Sequence, residues 1–318
     1  MAGQATRQVV LVLGPTAVGK TAVAMALQDR LGGADRVRLI SVDSAMVYKR
    51  LDVGTAKPSA AELARYPHDL IDIRDASQAY TAADFVADAD VCIDQAFARG
   101  QLPVLVGGTM LYVKRFIEGI ADLPAADPEL RATLQREFDE HGGLKLHAEL
   151  ATLDADAARK IHPNNSQRLL RALEVIRLTG QPLSRQWQEL AGPSAVERLD
   201  AGITTFAILP DDRKALHLRI ARRFDAMLAA GFEEELRSLV ARPELHPGLP
   251  SMRAVGYRQG LQYLAGELNK EQFREQAVTA TRRLAKRQLT WLRSWPALQS
   301  LTWGDPHQLA DLILDRMK

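Results

Sequence analysis

The stretch LVLGPTAVGKT, residues 11 to 21, constrains this chain more than any other segment. Its pattern Gly14-x-x-x-x-Gly19-Lys20-Thr21 follows an apolar run, Val9 to Leu13, and precedes the helix-like TAVAMALQDRLGG. A strand, a glycine turn and a helix in that order are the context that a phosphate-binding loop requires. Glycines let backbone N–H groups converge on anionic oxygens, the new helix aims its positive dipole end at them, and Lys20 adds a mobile charge. The expected cradle is Gly14, Pro15, Thr16, Ala17, Val18, Gly19, Lys20 and Thr21, with the Thr21 hydroxyl available to a magnesium ion. The pattern leaves open which phosphate-bearing molecule sits there.

Two later segments extend the same architecture. VRLISVD reads as a buried strand whose carboxyl end delivers Asp43, and PVLVGGTMLYVKRF as a strand, Val104 to Val106, that turns through Gly107-Gly108 into a helix beginning near Thr109. In open α/β sheets ligands collect outside the carboxyl ends of the strands, so Asp43 and Thr109 are expected to overlook Lys20. The fold class is therefore α/β: a P-loop NTPase-like parallel sheet flanked by helices. Between Asp122 and Asp200 the pattern changes to helices broken by LPAADP, GG, HPNN and TGQP, which predicts an α-helical insertion domain over 122–200. The catalytic core is then 1–121 and 201–318; GITTFAILP, residues 202 to 210, returns to the sheet, and helices dominate from Asp211 onward.

At 318 residues, 47% of them hydrophobic, the chain can bury a sizeable core. A net charge of only +2 means that any nucleic-acid surface must come from local clustering of cations. The single cysteine, Cys92, excludes an intramolecular disulfide and a cysteine-based zinc finger. No run approaches the roughly 18 uninterrupted apolar residues of a membrane span, and MAGQATRQ lacks the apolar core of a signal peptide. A cytoplasmic protein without membrane contact is expected, with monomer as the default state. The histidines form no His-Glu-x-x-His arrangement, so a metal should be held by Thr21 and phosphate oxygens.

Asp43 at a strand end can hold magnesium through water, cap the next segment as a turn residue, or accept a proton from a nucleophile. Arg219 and Arg223, four apart on one predicted helix, share a face and could close over a diphosphate. The segment from Lys270 to Trp295 carries seven cations: Lys270, Arg274, Arg282, Arg283, Lys286, Arg287 and Arg293. Phe273, Ala277, Ala280, Leu284 and Trp291 give it an expected core-facing stripe, leaving Arg282, Lys286 and Arg293 on another face. RAVGYRQ, with Arg253, Tyr257 and Arg258, and QRLLR, with Gln167, Arg168 and Arg171, add basic patches suited to an RNA backbone. No Asn-Lys-x-Asp guanine-reading signature is present.

Taken in order, GPTAVGKT, ISVDSAMVYK, LDVGTAKP, HDLIDI, LVGGTMLY, PAADPELR, HPNNSQRLLRALEV, SMRAVGYRQ and LAKRQLTWLR resemble the tRNA dimethylallyltransferase family, in its bacterial form without a zinc-finger extension. Relatives often carry Met-Gln after Asp-Ser, where this chain has Ala45-Met46. The resemblance implies that the loop holds dimethylallyl diphosphate with Mg2+ as cofactor. The exocyclic N6 amine of the adenosine immediately 3′ of the tRNA anticodon attacks the allylic carbon, and diphosphate departs. It assigns Asp43 as the group that accepts the amine hydrogen, Thr109 as an adenosine contact, and Lys20 and Arg223, with Arg219, as stabilisers of the leaving group. It places tRNA against Asp43, Ser44, Ala45, Met46, Thr109 and Arg131; against Gln167, Arg168, Leu169, Leu170 and Arg171; against Arg253, Ala254, Val255, Gly256, Tyr257 and Arg258; and against Lys286, Arg287, Gln288 and Arg293. The helical insert would grip the anticodon stem-loop. Three other readings use the same residues differently: prenyl transfer to free adenine nucleotide, a small-molecule kinase in which Asp43 activates a hydroxyl, and RNA binding without catalysis.

Overall fold

The computed structural model describes residues 7–121, 123–189 and 192–317. The insert's expected first residue, Asp122, lies outside the described residues. Six parallel strands form one sheet in the order β3-β2-β4-β1-β5-β6: β1 Gln8–Leu13, β2 Val37–Val42, β3 His68–Asp69, β4 Leu102–Gly107, β5 Gly202–Leu209 and β6 Gln299–Thr302. β1 sits at the centre, paired with β4 from Val10↔Val104 to Leu13↔Gly107 and with β5 from Gln8↔Gly202 to Leu13↔Ala207. Val9 to Leu13 are buried without alternation, as a strand covered on both faces requires. Each such side chain contributes about 1.5–3 kcal/mol on leaving water.

The chain steps outward from β1 to β2 and β3, returns to insert β4, then continues on the other side with β5 and β6. This places the carboxyl end of β1 between those of β4 and β5, where the order of strands reverses and a ligand crevice forms. Helix Lys20–Arg30 leaves that end and packs against helix Pro306–Met317. Helices Arg213–Ala229, Phe232–Val240, Tyr257–Leu264 and Lys270–Arg293 share an aromatic cluster in which Phe232 meets Phe224, Tyr257 and Phe273.

The contacts divide the chain into two compact units, 7–117 with 195–317 and Glu118–Ser194. Helix Ala195–Leu199, expected in the insert, groups with the sheet instead, because Arg198 pairs with Asp90 at 2.8 Å and donates to the Phe116 carbonyl. The smaller unit is built from helices Pro128–Leu153, Ala155–Lys160, Ser166–Thr179 and Leu183–Glu189 around Leu134, Leu146, Leu150, Leu169 and Leu173. Its first helix breaks at Gly142, φ 77°. A Cβ on the next residue, Gly143, would stand 2.3 Å from the Pro163 carbonyl, so the kink and the small residue together admit the chain that crosses there.

Candidate active site

The loop after β1 holds two left-handed residues, Ala17 at φ 68° and Gly19 at φ 91°. Gly14 has no room for a side chain, since a Cβ would meet the Ile208 carbonyl at 2.7 Å. Gly19 caps helix Lys20–Arg30 without offering a side chain to its first turn, so the leading N–H groups remain for a ligand. The Lys20 ammonium donates to the Pro15 carbonyl at 2.9 Å. Part of the Lys20 side chain stays accessible, but protein crowds the ammonium. Burial, with the charge of Arg223 adding to it, lowers the Lys20 pKa to about 8 against a smaller opposing pull from Asp43. Arg223 is likewise destabilised by burial, supported by Asp43 and opposed by Arg219. Lys20, Asp43 and Arg223 come from three separate segments and act on one another electrostatically. Arg219 is exposed, its guanidinium 5.0 Å from the Trp303 ring centre and its Nη2 3.4 Å from the place a Gly19 Cβ would occupy.

Asp43 ends β2. Its Oδ1 accepts the N–H groups of Ala45 at 2.8 Å and Met46 at 3.1 Å, while Oδ2 accepts none from the described residues. Because Ala45 and Met46 serve Asp43 through their backbone, the departure from the relatives' Met-Gln leaves this turn intact. The Thr109 hydroxyl accepts the Ser44 N–H at 3.1 Å, and Thr109 itself begins the turn into helix Met110–Glu118. Gln288, buried on helix Lys270–Arg293, accepts the Thr16 N–H and donates to the Gly108 carbonyl, both at 2.8 Å. One side chain thus ties the phosphate loop to the turn that carries Thr109.

The family model for IPP transferase matches residues 46–295. A protein named tRNA dimethylallyltransferase from Chromohalobacter salexigens is 54% identical over 295 residues, 93% of this chain and 91% of the relative. The chain belongs to the IPP transferase family. The solved full-length tRNA isopentenylpyrophosphate transferase of Bacillus halodurans is 35% identical, with a TM-score of 0.69 over 98% of this chain and 97% of that one. A eukaryotic dimethylallyltransferase described as acting on tRNA, 24% identical, shares the fold at a TM-score of 0.78, covering 98% of this chain and 78% of its own. These neighbours have the P-loop NTPase-like fold expected from the glycine loop.

Within this IPP transferase the cations expected to meet RNA fall into distinct groups. On helix Lys270–Arg293, Lys270 pairs with Glu233 and Arg274 with Asp225. Arg283, Lys286, Arg287 and Arg293 are exposed and have no carboxylate partner among the described residues. Arg253 and Arg258 are exposed as well, as are Gln167 and Arg168 in the smaller unit. Arg131 and Arg171 both bind the fully buried Glu174, at 2.9 and 2.7 Å, which fixes their directions. Four residues expected at the RNA surface are interior. Leu169 belongs to the helical core, Gly256 is buried, Gln288 spans the two loops, and Tyr257 is completely covered with its hydroxyl on Glu235. The core stripe of helix Lys270–Arg293 is also rotated from expectation: Phe273, Ala277, Val278, Ala285, Gln288, Leu289 and Leu292 are buried, whereas Ala280, Leu284 and Trp291 are only partly covered. Glu235 and Gln288 have structural roles at this site that polarity alone conceals, since a Gln or Glu turned toward other elements carries no periodic signal that separates it from a surface one.

Proposed function

We propose that this chain transfers the dimethylallyl group of dimethylallyl diphosphate to the N6 amine of the adenosine immediately 3′ of the anticodon in tRNA. The observation that carries the reading is the electrostatic coupling of Asp43 with Lys20 and Arg223 beside a loop whose helix start has no side-chain cap, which leaves its leading N–H groups for an anion. The cations bind and orient the diphosphate. As the allylic C–O bond breaks, its electron pair leaves on the diphosphate oxygen, where Lys20 and Arg223 stabilise the growing charge. The N6 amine forms the new C–N bond, and Asp43, through the oxygen left open at Oδ2, accepts the proton that the amine loses. Adenine N6 is a weak nucleophile because its lone pair is delocalised, so this acceptor sharpens the attack. Thr109, linked to Ser44, steadies the acceptor base beside Asp43.

No three His, Cys, Asp or Glu side chains converge on a metal position among the described residues. The hard oxygens of Thr21 and the donor's phosphates suit Mg2+, which is commonly held by few protein groups and by substrate phosphate. When bound, Mg2+ supplies charge neutralisation to the diphosphate. tRNA reaches the site along the exposed cations of helix Lys270–Arg293, with Arg253 and Arg258, while Gln167 and Arg168 of the smaller unit, and Arg131 and Arg171 beside them, hold the anticodon stem-loop. The target base must be unstacked, at a cost of a few kcal/mol that those contacts offset.

The test is incubation with unmodified bacterial tRNA, Mg2+ and dimethylallyl diphosphate, followed by mass spectrometry of the nucleosides. An isopentenylated adenosine in the anticodon loop is the expected product. Prenylated AMP with untouched tRNA, or ATP consumption with a nucleoside acceptor and no prenyl group in RNA, would contradict the reading.

A further inference from the structure

The LDVGTAK segment, residues 51 to 57, contains no group assigned above to the chemistry, yet it is held by an unusual number of contacts. Glu235, at the start of helix Phe232–Val240, accepts three successive backbone N–H groups: Asp52 at 2.9 Å and Val53 at 2.6 Å on Oε2, and Gly54 at 3.2 Å on Oε1. Oε1 also accepts the Tyr257 hydroxyl at 2.5 Å. Tyr257 is fully covered, and burial followed by the Glu235 charge raises its pKa far above the phenolic range, so it remains a donor. Gly54 admits the clamp because a Cβ there would fall 2.1 Å from the Phe232 ring and 2.7 Å from Tyr257. Lys57, almost wholly covered, closes the other end onto Asp52 and Asp72, each at 2.5 Å.

The turn so fixed presents one outward partner: the Thr55 carbonyl accepts Nη2 of Arg223 at 3.0 Å. No carboxylate pairs with Arg223 among the described residues, and burial disfavours its charge. A half-buried guanidinium with one neutral carbonyl as its hydrogen-bond partner among the described residues keeps its remaining donors for an anion, and that carbonyl decides where they aim. We propose that Glu235, assisted by Tyr257, is a positioning residue for Arg223: it locks the 52–54 turn so that the Thr55 carbonyl points the guanidinium at the diphosphate. This rests on the diphosphate reading of the loop given above.

The experiment is a double-mutant cycle on the full chain with Mg2+, comparing parent, Glu235→Gln, Arg223→Lys and the double variant. Inorganic diphosphate affinity is read by calorimetry, and transfer from dimethylallyl diphosphate to tRNA by turnover. Glu235→Gln keeps the shape but replaces one carboxylate oxygen by an amide donor, which then faces either the Asp52 and Val53 N–H groups or the Gly54 N–H. It is expected to weaken diphosphate binding about fivefold and turnover about tenfold while the KM for tRNA stays within about twofold. In the Arg223→Lys background the same change should cost less than about twofold. Tyr257→Phe, which keeps all three backbone bonds and therefore the fold, should lose about two- to threefold in the parent and nothing beside Arg223→Lys. Losses that multiply in either double variant, or Glu235→Gln and Tyr257→Phe binding diphosphate like the parent, would overturn the proposal. A parent that binds diphosphate but prenylates no tRNA would instead sink the functional reading and leave the binding cycle to judge Glu235.

Discussion

In Asp43 one carboxylate oxygen is occupied by the chain's own N–H groups at Ala45 and Met46 while the other faces no described donor, and a substitution can separate the two. Asp43→Asn retains an acceptor for the turn but removes the charge proposed to take the proton. Turnover is expected to fall about 10²- to 10⁴-fold with tRNA affinity within about twofold and little change in Tm. Rate and affinity falling together would assign Asp43 to the turn alone. For Lys20 the sign follows from burial. Its folded pKa, about 8, lies below the ordinary 10.5, so the folded protein releases this proton first. Its contribution to stability therefore rises with pH between those values, while affinity for inorganic diphosphate should fall above pH 8, by up to about tenfold per unit. A flat affinity from pH 7 to 10 in calorimetry would show that the ammonium does not hold the ligand.

Helix Lys270–Arg293 serves two surfaces at once. Gln288 reaches inward to Thr16 and Gly108, and Lys286 and Arg287 beside it in sequence face outward without carboxylate partners among the described residues. Lys286→Ala should reduce the slope of log affinity for tRNA against log salt by about one and leave the saturated rate nearly intact. An unchanged slope would remove this face from the RNA surface. The Asp52–Thr55 turn is tested by packing: Gly54→Ala drives a methyl into the Phe232 ring and should lower stability by about 1–3 kcal/mol in urea unfolding, against no loss if the turn is loosely held. Such elements were unevenly legible. β1 and β4 announce themselves as apolar runs, Val9 to Leu13 and Val104 to Val106, and β2 and β5 as mostly apolar or β-branched ones. β3 has two residues, and β6 buries only Leu301 of its four, so neither stands out from a loop. Tyr257 and Gln288 sit in basic segments that read as surface, and only the packing of distant helices decides that they point inward.

The strand order brings the ends of β1, β2 and β4 to one edge, and the glycine loop, Asp43 and Thr109 were readable there because strand-to-turn junctions carry local signals. What joins them was not readable. Gln288 lies 272 residues from Thr16 and Glu235 lies 183 from Asp52, so those bonds exist only after the chain has folded. With a net charge of +2, long-range attraction cannot bring RNA to this molecule unaided, and local cation clusters must do so. The most direct check follows both fates of the donor in one tube. With excess dimethylallyl diphosphate, released diphosphate and prenylated adenosine in tRNA are counted together over a single turnover. Equal amounts in the parent, both lost in Asp43→Asn, are expected. Diphosphate released without a prenyl group in tRNA, or transfer that survives in Asp43→Asn, would contradict the assignment of the glycine loop to a leaving group and of Asp43 to the acceptor amine.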